Sequence, residues 1–341
     1  MATKLPKEFA GQIKTLNERL ALDSNIQRCT TGSKKLDYIL GGGLLEGRLH
    51  EFFGKESSGK TSLAMSCMLQ VLKKYPEHEV LYVDAEQSLK VDYYYDMMEG
   101  YGADRFHIAE PRTGEEAWSY VRWGLENPKI KGIVIDSVAA MWPSKLLDEV
   151  GQPEVMGRAR LNNQSIGTLN PMLRINRPFL VCINQEREKP GMNGYVTITT
   201  PGGTGIPFYS SIRVRVRGKG EIKGPDGTPI GVKTWFRSIK NKTAFPYQET
   251  ETEFYFGKGY NYEMELIDLA LEAGIIERKG AFYSYAPPTG DPISLGRGKE
   301  AATEMILGDR DLFKRIEADY DTTAALTKKA ADVTDEVGAE G

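Results

Sequence analysis

The chain has 341 residues, 40% of them hydrophobic and 27% charged, the balance of a globular protein of about two domains. Lys and Arg number 44 against 47 Asp and Glu, a net charge of −3, which excludes a uniformly basic nucleic-acid binder but not a local basic patch. No apolar run approaches the roughly 20 residues of a membrane span, Met1 to Gly11 lacks a signal-peptide core, and three scattered cysteines (Cys29, Cys67, Cys182) with three scattered histidines give no disulfide framework or metal cluster.

In chain order, Phe9, Ile13, Leu16 and Leu20 recur at helical spacing and predict an amphipathic helix over 5–22. Arg48 to Phe53 reads as a short strand, 60–75 as a helix and Val80 to Val83 as a buried strand. Thr113-Gly-Glu-Glu116 is a capping box that opens a helix to about Asn127. Ile133 to Ile135 and Phe179 to Ile183 are further apolar strands. Strands alternating with helices imply an α/β core with a mostly parallel sheet covered on both faces. Ile212, Val214 and Val216 then alternate with Arg213, Arg215 and Arg217, and strands at 232–239 and 250–256 follow closely, so antiparallel additions to the sheet are expected. A helix at 265–273, an aromatic strand at 282–285 and a helix near 299–307 predict a small C-terminal α/β domain. Residues 317–341 carry seven acids against two lysines and predict a disordered acidic tail. The expected division is an N-terminal segment (1–30), a core (31–259), a small domain (260–316) and the tail.

Gly54-Lys55-Glu56-Ser57-Ser58-Gly59-Lys60-Thr61 fits G-x-x-x-x-G-K-[ST], with a strand before it and a helix after it. Such a loop turns backbone N–H groups onto phosphate oxygens at a helix N-terminus. Lys60 then reaches the terminal phosphates and the Thr61 hydroxyl ligates Mg²⁺. Asp136 ends the apolar strand 133–135, where an acid holds Mg²⁺ directly or through water. Glu86 follows the strand at 80–84, placed to orient and deprotonate an attacking water, with Asp84 as its rival. Gln185 ends the strand at 179–184, where a neutral amide senses the terminal phosphate and passes the signal to the next loop.

The stretches GKESSGKT (54–61), VDAEQSL (83–89), VIDSVAAM (134–141), INQEREKPG (183–191), Gly202-Gly203 and KNKTAFP (240–246) make the chain resemble RecA-type homologous recombinases from about residue 10 to 308. The resemblance implies a RecA-like core with an N-terminal polymerisation helix and a small C-terminal domain. It implies a DNA-dependent ATPase that uses ATP and Mg²⁺, forms a helical filament of its own copies on single-stranded DNA and exchanges strands with homologous duplex. It further implies recombination, repair and the SOS response in the cytoplasm of a bacterial or phage-infected cell, with single-strand-binding and loading proteins as partners and no membrane. Residues 54–61 with Ser62 and Tyr93 are expected to bind ATP, Tyr93 by stacking on adenine. Lys240 and Lys242 are expected to reach the neighbouring subunit's nucleotide, with Phe9, Ile13, Leu16 and Phe208 also at the subunit interface.

Two loops are expected to bind DNA. The first, about 148–163, holds Met156, Gly157, Arg158 and Arg160. The second, about 186–204, holds Arg187, Lys189, Gly191, Met192, Tyr195, Thr199, Thr200, Gly202 and Gly203, and its glycine content predicts mobility before binding. Residues 157–242 contain 15 basic and 4 acidic residues, a balance of +11 that the average of −3 conceals. The acidic tail is expected to compete with DNA for this groove. A hexameric motor of the same fold and a non-hydrolysing DNA-binding mediator are the rival readings. The Lys240/Lys242 pair and the C-terminal domain count against the first. Intact Lys60, Glu86 and Asp136 count against the second.

Overall fold

The structure is a computed structural model, and it describes residues 13–23, 25–98, 100–146, 155–190 and 196–337. A nine-stranded sheet organises the core. Its order from one edge is Gly259–Tyr260, Glu249–Tyr255, Pro229–Asn241, Ile212–Lys223, Arg48–Gly54, Phe179–Gln185, Ile130–Asp136, Glu79–Asp84 and Phe106–Ala109. The six strands from 212–223 to 106–109 pair in parallel, and the three at the other end add antiparallel, as the alternation after residue 200 predicts.

Successive side chains of a strand point to opposite faces, so each buried strand feeds two cores. Val80 and Tyr82 join one, with residues of helices Lys34–Leu40, Lys60–Lys74 and Val91–Met98. Leu81 and Val83 join the other, with residues of helices Gly114–Glu126, Val155–Leu169 and Leu173–Asn176. The Gly114–Glu126 helix opens as expected, with Thr113 Oγ1 accepting from Glu116 N at 3.1 Å. A third core holds the C-terminal unit. There an antiparallel sheet (Ile276–Lys279, Phe282–Tyr285, Ile293–Arg297) packs with helices Tyr262–Glu272, Lys299–Gly308 and Arg310–Val337.

Four expectations change. The N-terminal helix spans Leu16–Asp23, because Thr15 and Glu18 cap each other's backbone N–H groups (3.2 and 2.7 Å) and start the first turn there. Ile13 lies in a bend before it, and Phe9 lies outside the described residues. The first expected loop is helical from Val155, where Ile166 and Leu169 are buried along one side despite the polar run Asn162-Asn163-Gln164. The second expected loop forms a hairpin, Arg187–Pro190 against Val196–Thr199, with Arg187 opposite Thr199.

The tail expected to be disordered from 317 continues the helix Arg310–Val337. Leu312, Phe313, Ile316 and Tyr320 are buried at helical spacing. Its first three acids are occupied: Lys34 Nζ meets Glu317 and Asp321 at 3.4 and 2.8 Å, and Tyr285 OH donates to Asp319. These three are docked on the body of the protein.

Candidate nucleotide site and its link to the second loop

Residues 54–61 join the strand Arg48–Gly54 to the helix Lys60–Lys74, with Gly59 at the helix cap. Gly54 admits no side chain, since a Cβ there would stand 2.1 Å from the Val216 carbonyl oxygen. Lys60 is buried, and its Nζ donates to Lys55 O at 2.6 Å and Ser58 Oγ at 3.4 Å. Burial pushes its ammonium below the ordinary lysine value, while Asp136, Glu86, Glu56 and Glu186 pull it back up. A desolvated cation resting on a carbonyl at a helix N-terminus fits a phosphate chain.

Thr61 Oγ1 donates to Asp136 Oδ2 at 2.7 Å, and Tyr82 OH donates to the same oxygen at 2.6 Å. Burial raises the Asp136 carboxyl to about 6, against the lowering effect of those two hydroxyls. Hard oxygen donors in this grouping suit Mg²⁺. Ala85 N and Glu86 N both donate to Asp136 O, at 2.7 and 3.2 Å, so the Glu86 backbone is pinned beside Asp136. The Glu86 side chain is exposed and takes a hydrogen bond from Ser137 Oγ. Its rival Asp84 is buried and accepts Leu89 N at 2.9 Å, so Glu86 is the more accessible of the two carboxylates.

Gln185 pairs in register with Gly54, so the expected sensor stands beside the first residue of the phosphate loop. Next to it, buried Asn184 donates to Glu51 Oε1 at 3.0 Å and to Pro201 O at 3.1 Å, while Arg213 pairs with the other Glu51 oxygen. The far end of the second loop is therefore tied, through the Asn184 side chain, to the strand that leads into the phosphate loop. On the near end, Glu186 N donates to Gly54 O at 3.0 Å and the Glu186 carboxylate is gripped by both Nε and Nη2 of Arg215.

The expected DNA residues divide. Met156 is 84% exposed, and Arg160 and Arg187 are exposed. Gly157, Thr199 and Thr200 are half-buried, and Lys189 contributes hairpin backbone. Gly191, Met192 and Tyr195 lie outside the described residues. Arg158 is buried, donates to Ala139 O and stacks over Trp142 at 4.3 Å, so its guanidinium braces the helix. Gly202 is buried at φ +92°, where a Cβ would lie 2.9 Å from Asn162 Nδ2, and Gly203 packs on Asn163. The glycine pair thus seats the second loop on the 155–169 helix.

Tyr93 packs against Phe256 at 5.4 Å, with Tyr94 edge-on at 4.8 Å. Tyr94 OH in turn bonds Ser62 Oγ at 3.2 Å. Lys240 Nζ donates to Pro207 O and Phe208 O, both at 2.8 Å, fixing the short helix Gly205–Tyr209, and Phe208 stands 69% exposed beside it. Lys242 is exposed, and Ile13 and Leu16 present apolar surface to solvent. Sequence reasoning passed over Tyr82, Ser137, Glu186 and Glu188. Tyr82 carries a polar tip inside an apolar run, a pattern that asks for a buried partner.

The RecA N-terminal domain model matches residues 3–261 and the RecA C-terminal domain model residues 264–321. Protein RecA of Thermus aquaticus is 36% identical over 317 residues, 92% of this chain and 90% of its own. Protein RecA of Chlamydia pneumoniae is 37% identical over 94% of this chain and 89% of its own, and that of Bacillus velezensis 33% over 100% and 97%. Both domains are matched in order and almost end to end, and the chain belongs to the RecA family.

Proposed function

We propose that this chain is an ATP-hydrolysing recombinase that assembles as a helical filament on single-stranded DNA and exchanges strands with a homologous duplex. Membership of the RecA family supports a role in recombination and repair. The observation that carries the finer reading is the pairing of Gly54 with Gln185, which sets the phosphate loop beside the strand that runs into the second loop.

The loop amides and Lys60 bind and orient a phosphate chain. Thr61 and Asp136 would hold Mg²⁺, which would offset the charge of the phosphates. Glu86, steadied by Ser137, orients water and accepts its proton. Lys240 and Lys242, grouped with exposed Phe208, supply positive charge to the nucleotide of a neighbouring subunit, which stabilises the transferring phosphoryl group. No helix among the described residues is long and apolar enough to cross a membrane. The test is ATP turnover with and without single-stranded DNA. Glu86→Gln should lower the DNA-stimulated rate by about 10² or more with nucleotide affinity retained, and near-normal turnover would refute its role as base.

A further inference from the structure

The second residue of the phosphate loop is a lysine whose two ends have separate tasks. The Lys55 carbonyl accepts the Lys60 ammonium at 2.6 Å, while its own Nζ lies 3.1 Å from Glu188 Oε1 on the first strand of the hairpin. Both partners are open to solvent, Lys55 at 68% and Glu188 at 54%, so water and salt weaken the pair and it is easily redirected. Glu186, two residues earlier, is the opposite case, since its carboxylate is fully buried and gripped twice by Arg215. The base of the hairpin is therefore anchored, and the strand above it is held to the phosphate loop by a labile charge contact. Alternation along the strand turns Arg187 to the other face from Glu188, near enough to Arg158 to act on its charge.

A phosphate chain seated on residues 54–61 places negative charge within reach of both members of the pair. It attracts Lys55 and repels Glu188. We infer that the Lys55–Glu188 pair is a nucleotide-sensitive tie between the phosphate loop and the hairpin, exchanged for a Lys55–phosphate contact when ATP binds, which frees the hairpin for DNA. The inference rests on the nucleotide and DNA reading proposed above and adds a coupling route separate from Gln185. Coupling between two binding sites is reciprocal, so the factor by which nucleotide raises DNA affinity equals that by which DNA raises nucleotide affinity.

The test uses the full chain, a fluorescein-labelled oligo-dT strand and anisotropy, with and without ATPγS and Mg²⁺. In Glu188→Gln the nucleotide-free affinity for the strand should tighten about two- to fivefold, the ATPγS-bound affinity should stay the same, and their ratio should shrink accordingly. Glu188→Asp, which keeps the charge, should keep most of the ratio. An unchanged ratio in Glu188→Gln, or an equal change in both states in either direction, would overturn the tie, because a structural or simple charge effect does not depend on nucleotide. A wild-type protein whose DNA affinity ignores ATPγS would remove the underlying reading and the tie with it.

Discussion

Replacing Arg215 with Met strands the Glu186 carboxylate. That side chain is fully buried, and its two oxygens are taken by Arg215 Nε, at 2.6 Å, and Nη2. Removing one partner of a buried ion pair costs about 3–5 kcal/mol, because the remaining charge has neither water nor a counterion. Arg217 and Lys55 still act on Glu186, which puts Arg215→Met at the low end, about 3 kcal/mol. The pH dependence has a definite sign. Burial pushes the Glu186 carboxyl up, but the hydrogen bonds and charge of Arg215, with Arg217 and Lys55, outweigh it and hold the group below 4.5. Its contribution to stability is therefore present above about pH 4.5 and is lost as pH falls through the folded-state value.

In Arg215→Met burial dominates instead, the carboxyl is raised, and part of the deficit disappears on acidification. Urea unfolding at about pH 7.5 and about pH 5.5 measures both effects. The double variant Arg215→Met/Glu186→Leu should regain most of the loss. A single variant that loses less than about 1 kcal/mol, or a double variant no more stable than the single, would refute the reasoning.

Gly202→Ala should destabilise by about 2 kcal/mol, since it adds a side chain at positive φ against Asn162; an unchanged urea midpoint would contradict that packing. Lys34→Met removes the cation that meets Glu317 and Asp321 and lies over the rings of Tyr262 and Tyr320 at 5.4 and 5.8 Å. Amide exchange across 310–324 should accelerate about tenfold or more while the central sheet stays protected, and uniform acceleration would show that the C-terminal helix is not a separate docking unit.

The phosphate loop was legible because its physics is local: a strand end, glycines at fixed offsets, a lysine and a hydroxyl. Asp136 and Gln185 were legible because apolar strands end abruptly at polar residues on one sheet edge. The sequence did not reveal that Arg158 turns inward onto Trp142, or that Gly202 is packed, since both depend on how the 155–169 helix crosses the second loop. The hairpin was hidden for a different reason. Its alternation, Val196-Thr197-Ile198-Thr199, is present, but it is only four residues long and follows a glycine-containing stretch that by itself signals a loop. The C-terminal helix was masked by net charge, although Leu312, Phe313, Ile316 and Tyr320 already mark a buried face and the acids beside them find Lys34 and tyrosine hydroxyls. The overall balance of −3 hides the same kind of segregation, with basic strands and loops in one part of the chain and acids elsewhere.

The central claim is that nucleotide binding and DNA binding meet in an open, propagating assembly of this chain. Electron microscopy of the full-length protein with single-stranded DNA, an ATP analogue and Mg²⁺ tests it most directly. Extended helical filaments that require the nucleotide are expected, and closed rings of fixed subunit number, or bare DNA, would contradict such an assembly.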